Sequence, residues 1–140
     1  MIREFQSGDL DRVMELWLNS NTDAHDFIDS SYWQENYQMV RELLPESELY
    51  VYEKEDMICG FIGLTGDYIA GIFVDISNRS EGIGRQLLDH AKEMHSKLSL
   101  QVYKKNSGAV GFYKKHGFSL EAEGFDDETG ETELIMIWTE

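Results

Sequence analysis

The feature that most constrains this sequence is a glycine-containing turn between an apolar run and an amphipathic helix. The run from Tyr68 to Val74 is apolar at nearly every position, which is typical of an interior strand covered on both faces. The chain then reads Arg79-Ser-Glu-Gly82-Ile-Gly84, and apolar residues follow at helical spacing: Ile83, Leu87, Ala91 and Met94. Such a turn leaves backbone N–H groups unpaired at the start of the helix, so it predicts a site for phosphate or another anion.

The residue types in this turn have physical reasons. Gly82 and Gly84 lack Cβ, so a ligand can approach the backbone closely, and Arg79 offers a forked set of cationic donors for phosphate oxygens. The same residues are compatible with an ordinary tight turn that binds no ligand, but the flanking strand and helix favour the anion site. We expect Glu81 to point to solvent, because a carboxylate facing a diphosphate would be repelled.

A second motif follows a short alternating strand, Leu98–Val102. Asn106 and Tyr113 are seven residues apart, which places them on one face of a helix two turns long, and Gly117 is a typical helix end. The residues alone leave two interpretations open. In the first, Asn106 and Tyr113 line a binding site. In the second, Asn106 is an N-cap and Tyr113 is an ordinary core aromatic.

Together the two motifs resemble those of the GCN5-related N-acetyltransferase (GNAT) superfamily, including its small bacterial members. The first motif matches at Arg79, Gly82 and Gly84, and the second matches at Asn106, Ala109, Phe112, Tyr113, Gly117 and Phe118. The resemblance implies an α/β fold with a mixed β-sheet, splayed at its centre and flanked by about four helices. The apolar runs fit the implied order β-α-α-β-β-β-α-β-α-β-β, and we expect residues 1–140 to form a single N-acetyltransferase domain.

The resemblance also implies a reaction, the transfer of an acetyl group from acetyl-CoA to a primary amine that attacks the thioester directly. Asn106 is expected to hydrogen-bond the pantetheine arm, Tyr113 to protonate the leaving thiolate as general acid, and an N–H near Val74 to stabilise the oxyanion. The implied cofactor-binding residues are Ile72, Phe73, Val74, Arg79, Ser80, Gly82, Ile83, Gly84, Arg85, Asn106, Ala109 and Tyr113.

The acceptor amine must lose a proton before it can attack, because a lysine-like amine is only about 0.1% neutral at pH 7.4. His25 is a candidate base, since an imidazole accepts a proton near neutrality, and it could equally organise its loop. Phe27 and Tyr68 are candidate substrate-binding residues, although Tyr68 could equally be a sheet-edge aromatic. The four histidines show no metal-binding spacing, so no metal is expected.

Charge and composition limit which partners are expected. The net charge is −15, yet residues 79–115 hold eight of the 12 basic residues and three of the 27 acidic ones. The basic region would attract the phosphates of CoA, whereas the acidic remainder would attract a cationic acceptor and repel nucleic acid. No apolar run is long enough for a membrane span or a signal peptide. We therefore expect a cytoplasmic protein, monomeric or homodimeric, that acts on a small cationic amine, a protein lysine or a protein N-terminus.

One alternative remains open at this stage. The same motifs would suit a non-catalytic acyl-CoA-binding module that senses cofactor level or acts through a partner. Tyr113 favours the enzyme, because a pure binding module needs no proton donor at that position.

Overall fold

The computed structural model describes all residues from 1 to 140, and its helices and strands follow the predicted order. The four helices are α1 (Leu10–Ala24), α2 (Ser30–Leu43), α3 (Ile83–Met94) and α4 (Ser107–Lys115). The seven strands are β1 (Ile2–Glu4), β2 (Glu48–Lys54), β3 (Met57–Thr65), β4 (Tyr68–Val74), β5 (Lys97–Tyr103), β6 (Ser119–Asp126) and β7 (Glu131–Thr139). The predicted mixed α/β fold is confirmed.

All seven strands form one sheet, in the spatial order β1-β2-β3-β4-β5-β7-β6. Neighbouring strands are antiparallel except β4 and β5, which are parallel. The parallel pairing consists of Tyr68 with Ser99 and Ile69 with Leu100, although each of the two strands is seven residues long. Beyond these pairs β4 and β5 no longer pair, so the sheet opens at its centre. This is the predicted central splay.

The helices bury one apolar core on each face of the sheet. Helices α1 and α2 cover β2, β3 and β4 on one face, in a cluster that includes Met14, Trp17 and Phe61. Helices α3 and α4 cover the other face, in a cluster that includes Leu87 and Tyr113. Strand β3 lies between the two cores, and its seven central residues are all buried, as expected for a strand covered on both sides.

Two glycines near the end of β4 allow close backbone packing. A Cβ on Gly60 would lie 2.9 Å from the carbonyl oxygen of Phe73, so any larger residue would force the paired strands β3 and β4 to shift here. Gly82 is the N-cap of α3 with φ +82°, a left-handed conformation that glycine adopts without strain. Both positions fix how the chain leaves β4 and enters α3.

Candidate active site

The open edge of β4 directs backbone groups into the gap between β4 and β5. The N–H of Asp75 donates to the Cys59 carbonyl on β3 at 2.7 Å, and β4 pairs with β3 in unbroken register from Gly71 to Val74. Hydrogen bonds in an antiparallel pair join every second residue. The N–H groups of Ile72 and Val74 therefore point away from β3, where no strand pairs with them.

A cavity of about 450 Å³ lies against this edge. It is bounded by β4, the end of α1 and the first turns of α3 and α4. Eight residues that were predicted to contact the cofactor line it: Ile72, Phe73, Val74, Arg79, Gly84, Asn106, Ala109 and Tyr113. The structure thus brings together, around one opening, residues from both sequence motifs.

The remaining predicted contacts, Ser80, Gly82, Ile83 and Arg85, lie in the turn and the first turn of α3 rather than on the cavity wall. The Ile83 side chain is buried in the core, so only its backbone could meet a ligand. The N–H groups at positions 83, 84 and 85 have no hydrogen-bond partner, whereas the next one, on Gln86, donates to the Gly82 carbonyl. Free amides at a helix start favour an anion.

The charged residues of this turn, Arg79 and Glu81, form ion pairs with side chains outside the turn. The Arg79 guanidinium donates to Asp23 at 2.6 Å, and both side chains are more than 40% exposed. Glu81 is exposed and accepts from Lys54 at 3.0 Å. Hydrogen bonds from Lys54 and then Asn78 lower the pKa of Glu81. The prediction that Glu81 points to solvent is confirmed.

Asn106 links α4 to the end of α1. Its side-chain oxygen accepts from the N–H of Ala109 at 3.2 Å, so Asn106 is the N-cap of α4. Its amide nitrogen lies 3.2 Å from Nε2 of His25. Because the amide donates, Nε2 of His25 accepts and its proton resides on Nδ1.

His25 lies among aromatic rings rather than in a polar loop. Its ring stacks on Trp33 with centroids 5.1 Å apart and meets Tyr103 edge-on at 5.1 Å. Burial lowers the pKa of His25, with a smaller opposing effect from the backbone of Asn21. The imidazole is therefore neutral at pH 7, and its Nε2 accepts a hydrogen bond from Asn106.

Tyr113 is 8% exposed, and its ring meets Phe112 and Phe118 edge-on. Its hydroxyl makes no hydrogen bond within the protein. Burial raises the pKa of Tyr113, and the nearby Tyr68 raises it further. The phenol therefore keeps its proton throughout the neutral range.

A second cavity, of about 270 Å³, adjoins the first and is also lined by Tyr113. It shares seven lining residues with the first: Asn21, His25, Ile72, Phe73, Asn106, Ala109 and Tyr113. Its own wall adds mainly aromatic and polar side chains: Trp17, Trp33, Tyr68, Gln101, Tyr103 and Glu133. Two ligands, one in each cavity, would therefore meet beside Tyr113 and the free amides of β4.

The two predicted substrate-binding residues differ in their placement. Tyr68 lines the second cavity, and burial and then the charge of Glu133 raise its pKa. Phe27 lines neither cavity, so its contact with the substrate stays a prediction. Its ring packs edge-on against His25 and Tyr103, at 5.7 and 5.9 Å, so it supports the wall from behind.

Tyrosines hold the acidic loop between β6 and β7 beside the second cavity. The Tyr103 hydroxyl donates to Asp126 at 2.8 Å, and the Tyr32 hydroxyl on α2 donates to Glu128 at 2.8 Å. These bonds connect the end of β6 and the loop after it to β5 and α2. The residue that sequence reasoning missed is Glu133 on β7, whose only signal was a charge at the start of the apolar run that follows it.

Two further properties bear on the kind of site. No group of three or more His, Cys, Asp or Glu side chains is arranged to hold a metal ion. No helix combines the length and the apolar character that crossing a membrane requires.

Comparison with known proteins defines the family. Residues 45–120 match the family described as acetyltransferase (GNAT) domain. The chain therefore belongs to the GNAT family, as its motifs predicted, and it is an N-acetyltransferase. The prediction of an enzyme is confirmed.

Particular relatives agree with this assignment. The chain is 36% identical to peptidyl-lysine N-acetyltransferase YiaC of Escherichia coli (strain K12), over 99% of this chain and 96% of that one. It is 35% identical to peptidyl-lysine N-acetyltransferase YjaB of the same strain, over 92% and 88%. The solution structure of apo-form YjaB from Escherichia coli superposes with a TM-score of 0.88 at 33% identity, over 99% and 96%.

One solved structure that is similar to this chain contains acetyl coenzyme A. It is an acetyltransferase of Bacillus anthracis str. Ames in complex with acetyl coenzyme A, which is 25% identical over 67% of this chain and 62% of that one, with a TM-score of 0.62.

Proposed function

We propose that this enzyme transfers an acetyl group from acetyl-CoA to a primary amine, either a protein lysine or a small cationic amine. The observation that carries the proposal is the pair of cavities that meet at Tyr113 and at the unpaired amides of β4. One cavity is lined by Arg79 and Gly84 beside the free N–H groups of α3, and the other is lined by aromatic side chains and one carboxylate, that of Glu133. This arrangement suits an anionic donor on one side and a cationic acceptor on the other.

The donor is assigned to the larger cavity. Its diphosphate would bind the free amides at residues 83–85 and the Arg79 guanidinium. Its pantetheine arm would lie along β4 and pair with Ile72 and Val74 as an added strand does. The acetyl-CoA complex of the Bacillus anthracis relative supports this choice of donor.

The proposed chemistry uses two groups that line the cavities, the Tyr113 hydroxyl and the Val74 N–H. The neutral amine attacks the thioester carbonyl carbon, and the N–H of Val74 stabilises the oxyanion that forms. When the C–S bond breaks, the Tyr113 hydroxyl donates its proton to the CoA thiolate. Because the pKa of Tyr113 is raised, the phenol is fully protonated at the start of each cycle.

In this mechanism His25 is not the base, although the sequence made it a candidate. Its Nε2 lone pair accepts from Asn106, and its surroundings are aromatic. His25 is therefore assigned to positioning the Asn106 amide, rather than to receiving the proton of the amine.

A lysine acceptor is supported by the relatives, two of which bear the name peptidyl-lysine N-acetyltransferase. The acidic remainder of the chain also favours a cationic partner. No comparable observation favours nucleic acid.

The test combines binding and turnover. Acetyl-CoA is titrated into the protein by calorimetry, and thiol release is then followed with a lysine-containing peptide, spermidine and a peptide with a free N-terminus. We expect saturable binding and an N-acetylated product of 42 Da added mass by mass spectrometry, roughly the mass of one acetyl group replacing one hydrogen. Absence of binding heat, together with absence of thiol release from any of the three amines, would refute the proposal.

A further inference from the structure

Glu133 is the carboxylate of the second cavity that no other side chain neutralises. It lies on β7 opposite Tyr103 on β5, and it lines the cavity beside Tyr68 and Gln101. It makes no salt bridge and no side-chain hydrogen bond. Its acidic neighbours differ, because Asp126 accepts from Tyr103 and Glu131 pairs with Lys105.

An uncompensated carboxylate in a partly enclosed site is unfavourable unless a ligand supplies the opposite charge. Burial and then the negative charge of Asp126 raise the pKa of Glu133. The wall around it is aromatic, from Trp17, Trp33 and Tyr68. Aromatic faces accommodate both an aliphatic chain and the ammonium at its end.

We propose that Glu133 binds the ammonium group of the acceptor and takes one of its protons before the amine attacks acetyl-CoA. The inference rests on the proposed function and assigns the base that the mechanism lacks. It also specifies the acceptor as an amine that is cationic in solution and long enough to reach Glu133 from outside.

The protons and electron pairs balance. Transfer of one proton from R–NH₃⁺ to the carboxylate leaves R–NH₂ and a neutral Glu133. The nitrogen lone pair forms the C–N bond, the C–S bond breaks, and the thiolate takes the proton of Tyr113. The second proton of the attacking nitrogen restores the phenol through solvent, and Glu133 releases its proton to water, so each cycle releases one proton net.

The decisive experiment is a pH profile of kcat/KM from pH 7 to 9 with acetyl-CoA and a lysine peptide. The variants are Glu133→Gln, Glu133→Asp and the control Glu121→Gln, which removes an exposed carboxylate of the same hairpin outside both cavities. None of the groups facing Glu133 is expected to titrate in this window, because their pKa values are shifted away from it: His25 and Asp126 downward, and Tyr68, Tyr103 and Tyr113 upward.

We expect a flat profile for the unmodified enzyme, which binds the ammonium form. Glu133→Gln should lose about 100-fold in kcat/KM at pH 7.5. Its rate should then rise about tenfold per pH unit, because it depends on the small neutral fraction of the free amine. Glu133→Asp should keep the flat profile at a reduced rate, and Glu121→Gln should match the unmodified enzyme.

Other outcomes overturn the inference. A Glu133→Gln enzyme with unchanged kcat/KM would show that Glu133 does not take the proton, and so would a loss that is equal at every pH. Calorimetry with acetyl-CoA separates the two proposals, because Glu133→Gln should bind the donor within about twofold of normal. If the unmodified protein neither binds acetyl-CoA nor acetylates an amine, the proposed function itself fails.

Discussion

Replacing Tyr113 by phenylalanine should separate catalysis from stability. The Tyr113 hydroxyl has no hydrogen-bond partner in the protein, so its removal breaks no internal bond. The ring contacts with Phe112 and Phe118, at centroid distances of 5.3 and 5.4 Å, stay in place. We therefore expect the free energy of unfolding to change by less than about 0.5 kcal/mol.

The catalytic effect should be much larger. Loss of a positioned general acid lowers the rate about 10²- to 10³-fold, which corresponds to about 3–4 kcal/mol of lost transition-state stabilisation. The assay is thiol release at saturating acetyl-CoA and amine, with urea unfolding measured on the same samples. Affinity for acetyl-CoA should stay within about twofold, because the phenol acts only as the thiolate leaves.

A matched control removes a hydroxyl far from the reaction. Tyr50 donates to Glu48 on β2 and lines neither cavity. Tyr50→Phe should therefore keep the full kcat. The reasoning is refuted if Tyr113→Phe retains kcat within about threefold of the unmodified enzyme, or if it unfolds markedly more easily.

Three further predictions follow from other contacts. Gly60→Ala should destabilise the fold by about 1–3 kcal/mol in urea unfolding, because its Cβ would lie 2.9 Å from the Phe73 carbonyl oxygen; an unchanged midpoint would contradict the close packing. Hydrogen bonds from Ser77 and then a neighbouring guanidinium lower the pKa of Asp75 to about 2. The stability from Asp75 is therefore present above about pH 4 and lost as pH falls toward 2, so Asp75→Asn should unfold more easily at pH 7 and depend less on pH in that window. Arg79→Ala should weaken acetyl-CoA binding about tenfold in low-salt calorimetry and less at high salt. If the variant and the unmodified protein bind acetyl-CoA equally well at both salt concentrations, Arg79 is not a diphosphate ligand.

Local patterns made much of the fold predictable from the sequence. The glycines of the Arg79–Gly84 turn and the spacing from Asn106 to Gly117 act within one or two helical turns, so the starts of α3 and α4 could be placed without tertiary information. The mixed sheet and its central splay came from the family resemblance. Nothing in the periodicity of β4 or β5 indicates that their pairing ends after Ile69.

The acceptor side was harder because its contacts join distant parts of the chain. Asn106 and His25 are 81 residues apart, and the hydrogen bond between them is the basis for proposing a positioning role for His25. Phe27 is next but one to His25, yet it packs behind the cavity wall. Glu133 carries no motif, and only the register of β7 with β5 brings its side chain next to Tyr103.

The gap at the centre of the sheet also has a thermodynamic consequence. Strands β1–β4 and β5–β7 share only two paired positions along their common seam. The seam therefore leaves a strand edge with unpaired backbone groups, of the kind that templates pairing with other extended segments. In the proposed complex, acetyl-CoA fills this seam and pairs with β4 as an added strand. At a free concentration 100 times its Kd, it adds about 2.7 kcal/mol against unfolding. The lifetime of this protein in a cell should therefore follow the supply of its own acetyl donor.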